Sequence, residues 1–140
     1  MSRLVLDNTV TMAWCFSDEA TEFTKTLLLR LSNSTDSALV PALWLYEVAN
    51  VVELAVRKGR IPEEKAIAFF ESLADLPIEV ENPSRTQVFV AGRMLAGQYQ
   101  LTSYDAAYLE LAFRHKLPIA SLDRALMRAA WAAGLNTVQA

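Results

Sequence analysis

Arg3-Leu4-Val5-Leu6-Asp7-Asn8-Thr9 is the stretch whose reading decides the fold. An apolar run breaks off abruptly at a carboxylate, an amide and a hydroxyl. A run that is apolar at consecutive positions, rather than at alternate ones, fits a strand buried on both faces, as in a helix-covered parallel sheet. In open α/β sheets ligand chemistry gathers beyond the carboxyl ends of the strands. Asp7 stands at such an end, and other acidic residues further along are expected to fold back to it.

The remaining strands and helices follow from turn signals and periodicity. Val10 to Phe16 reads as a short helical turn with Trp14 as a packing anchor, and Ser17-Asp18-Glu19 as the cap of a helix over Glu19 to Leu31. After a polar loop at Asn33 to Ser37, Ala38-Leu39-Val40 reads as a strand closed by Pro41. Ala42 to Arg57 predicts a long helix, apolar almost all round. Its polar residues Glu47, Asn50, Glu53 and Arg57 fall within about 120° of one another, a single stripe. Gly59 suits a left-handed cap, and Pro62 opens a helix to about Asp75, with Ile67, Phe70 and Leu73 facing inward. Pro77 to Val80 reads as an edge strand and Ser84 as the cap of a helix over Arg85 to Tyr99. Thr102 opens a helix to Lys116, and Pro118 to Ser121 is a strand. Asp123 starts a helix to Ala133, and Leu135 to Val138 is a last strand. Strands alternating with one or two helices predict an α/β fold, a three-layer α/β/α sandwich on a parallel sheet of about five strands. The 140 residues are expected to form one domain over 1–140, long enough to bury about 70% of the surface of the unfolded chain.

Composition removes several classes of function. Cys15 is the only cysteine, which excludes an intrachain disulfide and a cysteine-rich zinc site and suits a reducing, cytoplasmic compartment. The apolar N-terminal stretch is cut at Asp7, so no secretory leader is expected, and no run reaches the ~18 apolar residues of a membrane span. A hydrophobic content of 53% and a mean hydropathy of +0.19 leave room for an oligomer interface. Thirteen basic against sixteen acidic residues give −3, unlike a general nucleic-acid binder. The lone histidine, His115, rules out any mechanism needing two, and its place at a helix C-terminus suits the helix dipole.

Four carboxylates stand out, each with a purely structural alternative. Asp7 would make an Asx turn or cap, Glu47 would belong to a solvated stripe, Asp105 would close a capping box with Thr102, and Asp123 would cap its helix. Their placement favours a common site. Asp7 and Asp123 lie where strands run out, Asp105 lies at a helix start, and Glu47 sits about a turn and a half into a helix that begins at the same rim. Carboxylates this close raise one another's pKa, and divalent cations would relieve the repulsion. Oxygen-only ligands point to Mg2+ or Mn2+ rather than zinc. Such a cluster suits phosphoryl chemistry through an activated water. Thr9 would position that water or an Asp7 oxygen, and Ser121 would do the same near Asp123.

Leu4 to Thr9, Glu47-Val48-Ala49-Asn50-Val51, Leu101 to Tyr108, and Ser121 to Leu126 resemble, in order and spacing, the motifs of PIN-domain ribonucleases, and among these the VapC-type toxins of toxin–antitoxin pairs. The likeness spans Leu4 to about Val138. It implies a magnesium-dependent endoribonuclease that hydrolyses RNA phosphodiester bonds, with Asp7, Glu47, Asp105 and Asp123 as the acidic cluster. Thr9 would be the hydroxyl after the first acid and Asn50 a nearby polar contact. It further implies a homodimer silenced by an antitoxin whose arm occupies the active-site groove. Asn8 is bulkier than the small residue usual between acid and hydroxyl, and Ser121 stands where threonine is common. Phosphate contacts are expected from Arg57, Lys58 and Arg60, and from Arg124 and Arg128, the last two touching substrate or antitoxin. Two rivals remain: a non-catalytic binding module on the same fold, and an aspartate-nucleophile phosphoryl-transfer protein. The second needs a lysine near Asp7, and none of Lys25, Lys58, Lys65 and Lys116 is well placed for it.

Overall fold

A computed structural model of the protein describes residues 2–138. Its centre is β1 (Ser2–Leu6), in which Leu4, Val5 and Leu6 are at most 2% exposed. Three more strands, β2 (Asp36–Pro41), β3 (Ile78–Glu81) and β4 (Ile119–Ala120), make a four-stranded sheet in the order β3-β2-β1-β4. Every pairing is parallel, with Leu4 opposite Ala38, Val5 opposite Ile119 and Val40 opposite Val80.

The expected fifth strand is reduced to one parallel bridge, Ile119 to Thr137. Residues 135–138 do run beside β4, since Ile119 N–H donates to Asn136 O and Val138 N–H to Ile119 O. β4 is two residues long, with Pro118 lacking a donor before it and Ser121 turning away after it, so no ladder extends.

The helices sort onto two faces by connection. Steps from β1 to β2 and β2 to β3 run in one direction. They carry α1 (Asn8–Cys15), α2 (Glu22–Ser32), α3 (Leu43–Arg57) and α4 (Glu63–Ala74). The return from β3 to β4 carries α5 (Arg93–Tyr99) and α6 (Ser103–His115), and α7 (Arg124–Ala132) follows β4. Right-handed crossovers place the outward and return helices on opposite faces, in keeping with α1 packing on α2 and α3, and α6 on α5 and α7. The chain therefore changes direction between β1 and β4, and the carboxyl ends of those two strands flank the topological switch point. The core meets there: Val5, Leu6, Tyr108, Leu109, Ile119 and Leu126 are all fully buried.

Several local expectations change. α2 begins at Glu22 and not Glu19, because Thr21 and Thr24 form a reciprocal capping box. Ser17–Glu19 is instead a 3₁₀ turn whose Asp18 and Glu19 both accept from Arg60. β2 starts at Asp36, inside the expected polar loop, because the buried Asp36 carboxylate is held by two bonds from Arg30. In α4 the inward positions are Ala66, Phe69 and Leu73, while Ile67 and Phe70 face solvent. Ser84 and Gln87 do cap the segment after β3, but its first part, Gln87–Gly92, is a π-helical turn leading into α5. A Cβ on Gly92 would lie 3.1 Å from Gln87 O, a close approach that suits glycine at this position. Gly59, at φ 73, takes the left-handed position after α3. No helix among the described residues is long and apolar enough to cross a membrane.

Candidate active site

Asp7 leaves β1 with its side chain 4% exposed, although it has the backbone geometry of a helix N-cap and makes no side-chain cap bond. Its partners are hydroxyls. Thr9 Oγ1 and Ser121 Oγ each donate to Asp7 Oδ2 at 2.7 Å. Each hydroxyl in turn accepts from a backbone amide, Thr9 from Leu122 N–H at 2.9 Å and Ser121 from Asp123 N–H at 2.9 Å. Amide to hydroxyl to carboxylate is a polarised chain in which each bond strengthens the next. It also ties the end of β1 to the end of β4, across the switch point.

Glu47 comes from α3, on the outward-step face. It is half-buried, and its Oε1 accepts from Tyr108 Oη of α6 at 2.6 Å. Asp105 stands in the first turn of α6, where its N–H donates to the Thr102 cap at 3.1 Å. Asp123 caps α7: its Oδ1 accepts from Ala125 N–H and Leu126 N–H at 2.9 and 3.2 Å. The capping role weighed for Asp123 is thus real, but it occupies one oxygen only.

Electrostatics link these four groups. Burial pushes the Asp7 carboxyl up and the Asp123 charge pushes it further, while the Ser121 and Thr9 hydroxyls pull it down. Burial also raises Glu47, with the charges of Asp7 and Asp105 adding and the Tyr108 hydroxyl opposing. Asp105 is pushed from 3.8 to about 6, first by burial and then by Asp123 and Asp7. The Tyr108 phenol is held far above its usual range by burial and by the Glu47 carboxylate it faces. Among the described residues no three histidine, cysteine or acidic side chains are drawn close enough to form a ready-made metal cage.

A family model described as PIN domain matches residues 4–132. The chain belongs to the PIN domain family. Among solved structures, VapBC2 from Rickettsia felis, bound to a DNA fragment from their promoter, is 13% identical with a TM-score of 0.67, covering 97% of this chain and 97% of that chain. FitAcB from Neisseria gonorrhoeae is 16% identical, TM-score 0.65, covering 97% and 96%. PAE2754 from Pyrobaculum aerophilum is 20% identical, TM-score 0.66, covering 91% and 79%. At these identities the likeness is one of fold. A comparison with curated protein sequences gives no match.

In this PIN fold the residues picked from sequence fall into three groups. Asp7, Thr9, Ser121 and Asp123 form one hydrogen-bonded unit, and Glu47 and Asp105 join it through charge. Asn50 is exposed one turn beyond Glu47 and takes no part in those bonds. Arg124 and Arg128 are exposed at the start and middle of α7, and neither enters an ion pair among the described residues. Of the other basic candidates, Arg57 pairs with Glu53. Arg60 lies 3.7 Å over the Phe16 ring and bridges Asp18 and Glu19, so it serves the scaffold. His115, beside Arg114, reaches Glu81 Oε2 at 2.7 Å, a contact joining α6 to β3. Tyr108 carries no role in the sequence reading. The signal was its spacing, one helical turn after Asp105 on the same face.

Proposed function

We propose that this chain is a divalent-metal-dependent endoribonuclease and the toxin of a toxin–antitoxin pair, acting in the cytoplasm. One observation carries the reading: Asp7, Glu47, Asp105 and Asp123 arrive from four different elements at one rim, and three of them are driven up in pKa. Carboxylates gathered at strand ends with raised pKa values are the arrangement that a divalent cation would relieve. The donor set is entirely hard oxygen, which fits Mg2+ or Mn2+. When bound, such an ion supplies Lewis-acid stabilisation of a phosphoryl oxygen and acidifies a water.

The residues of the chain divide the remaining work. Thr9 and Ser121 hold one oxygen of Asp7 and oppose the rise that burial imposes on its carboxyl. Asp123 orients itself through two amides at the start of α7. Arg124 and Arg128 offer unpaired cations beside it for the RNA backbone, which an acidic protein needs locally. The family membership and the fold likeness to VapBC2 and FitAcB support the toxin reading. So do the exposed Phe89, Val90 and Met94, each at least 60% accessible, as apolar surface for an antitoxin or a second copy in a homodimer.

The test is cleavage of total cellular RNA by the purified protein with Mg2+, with Mn2+ and with EDTA, beside Asp7→Asn. Cutting that needs the ion and is lost in the variant supports the reading. Cutting that persists in both EDTA and Asp7→Asn refutes it, and a folded, partner-free protein that cuts nothing shifts weight to a non-catalytic module.

A further inference from the structure

We propose that Tyr108 is a positioning residue, which fixes one oxygen of Glu47 and so makes that carboxylate a one-oxygen ligand for the divalent cation. The inference rests on the metal-dependent reading above. Tyr108 is fully buried and among the largest such side chains in the protein. A phenylalanine would fill the same volume without burying a hydroxyl, and an unpaired buried hydroxyl is costly. Here the hydroxyl is spent on a single acceptor, Glu47 Oε1, across the gap between α6 and α3.

Glu47 has need of such a donor. Its three side-chain torsions leave it the most mobile of the four acids, and ordering a glutamate costs up to about 2 kcal/mol of side-chain entropy. Asp7 and Asp123 have fixed donors close by, Thr9 and Ser121 for the first and the α7 amides for the second, and the Asp105 backbone is fixed by its bond to the Thr102 cap. Tyr108 completes that pattern. Its bond takes Oε1 and leaves Oε2 with no protein partner among the described residues. Asp105 and Tyr108 lie three residues apart on α6, so one rigid helix presents one carboxylate and holds another. The Glu47 side chain, carried by α3, is thereby tied to the helix that carries Asp105. Groups that orient ligating side chains in this way are worth about 10- to 100-fold in metal affinity.

The experiment is Mn2+ binding to the full chain, followed by electron paramagnetic resonance of the free ion, for wild type, Tyr108→Phe, Glu47→Gln and the double variant, with Asp7→Asn as control. Tyr108→Phe is expected to weaken binding about 10-fold, with activity recovering at high Mn2+, and to have no further effect once Glu47 is Gln. Unchanged affinity in Tyr108→Phe, or an equal loss with and without the Glu47 carboxylate, overturns the proposal and leaves the ribonuclease reading intact. Failure of the wild type to bind Mn2+ in an Asp7-dependent way overturns both. Should Tyr108→Phe not fold, 3-fluorotyrosine in a Tyr46→Phe, Tyr99→Phe, Tyr104→Phe background reports Tyr108 alone. Its fluorine resonance is expected to shift with Mg2+ at the binding midpoint, and a resonance indifferent to Mg2+ overturns the proposal.

Discussion

Asp105→Asn is expected to stabilise the metal-free protein at neutral pH. The native carboxyl sits at about 6 against 3.8 ordinarily, with burial the first cause and the Asp123 and Asp7 charges next. A raised native value means that the folded state binds the proton more tightly than the unfolded chain. Between the two values the folded state holds more protons, so stability falls as pH rises through that window, from about pH 4 to about pH 6, and stays lowered above it. At about 1.4 kcal/mol per pH unit the ceiling is about 3 kcal/mol. Asp105 is only partly buried, and solvent screening about halves that figure, to about 1.5 kcal/mol. Asn has the same shape and no charge, and the Thr102 cap bond to the residue 105 backbone N–H survives the change. At roughly 3 °C of Tm per kcal/mol for a chain of this length, melting in EDTA at ~pH 7.5 should rise by about 4–5 °C. At ~pH 3.5 the wild-type carboxyl is protonated and the difference should close. Circular dichroism melts across that range measure it. If the proposed metal reading holds, saturating Mg2+ should reverse the order, because the wild type would bind the ion more tightly than the variant. A variant less stable at neutral pH, or more stable by the same amount at both extremes, would refute the claim that these carboxylates strain the fold.

Ser121→Ala removes one of the two hydroxyls on Asp7 and strands the Asp123 N–H. It should cost about 1–3 kcal/mol at neutral pH, read by urea unfolding, with the loss shrinking as Asp7 is protonated in acid. Trp44→Phe breaks the buried bond from Trp44 Nε1 to Thr11 Oγ1, made at 3.0 Å between α3 and α1. About 2 kcal/mol of stability should go with it, from the orphaned hydroxyl and the smaller ring. Arg124→Ala with Arg128→Ala should leave melting unchanged and weaken RNA binding with a shallower salt dependence. An unaltered salt slope, with unaltered inhibition by the antitoxin, would remove both residues from the interface.

The parallel order of the sheet was legible in Leu4 to Leu6 and Ala38 to Val40, because strands buried on both faces show no alternation and need helical crossovers between them. The four acids stood out in the sequence because each follows a strand end or sits near a helix start at the same rim. Three features were not legible. The fifth strand failed because pairing depends on its neighbour, and β4 offers two residues before Ser121 turns into the site. The inward face of α4 was misjudged because Ile67 and Phe70 are as apolar as the residues that are buried, so hydrophobicity alone could not choose the stripe. Tyr108 escaped because an apolar helix with a tyrosine in it reads as core. Only the 2.6 Å contact across the interhelical gap gives the hydroxyl a purpose.

The topology explains why the acids come from these elements. α3 belongs to the outward crossovers and α6 to the return, so the sheet keeps their flanks apart along most of its extent. Side chains from opposite layers can meet only over the strand ends, and only where no connection closes the gap. That place is the switch point between β1 and β4. Glu47 reaches it from one layer, Asp105 and Tyr108 from the other, and Asp7 and Asp123 from the strands between. The bond from Tyr108 to Glu47 is therefore a strut between the two helical layers over the strand ends. A change that shifts α6 along its axis would misplace Asp105 and slacken Glu47 in the same movement. If the proposed cation site is real, Tyr108→Phe should add little to such a change, because both slacken the same Glu47 oxygen, and a double-mutant cycle read by Mn2+ affinity would measure that overlap.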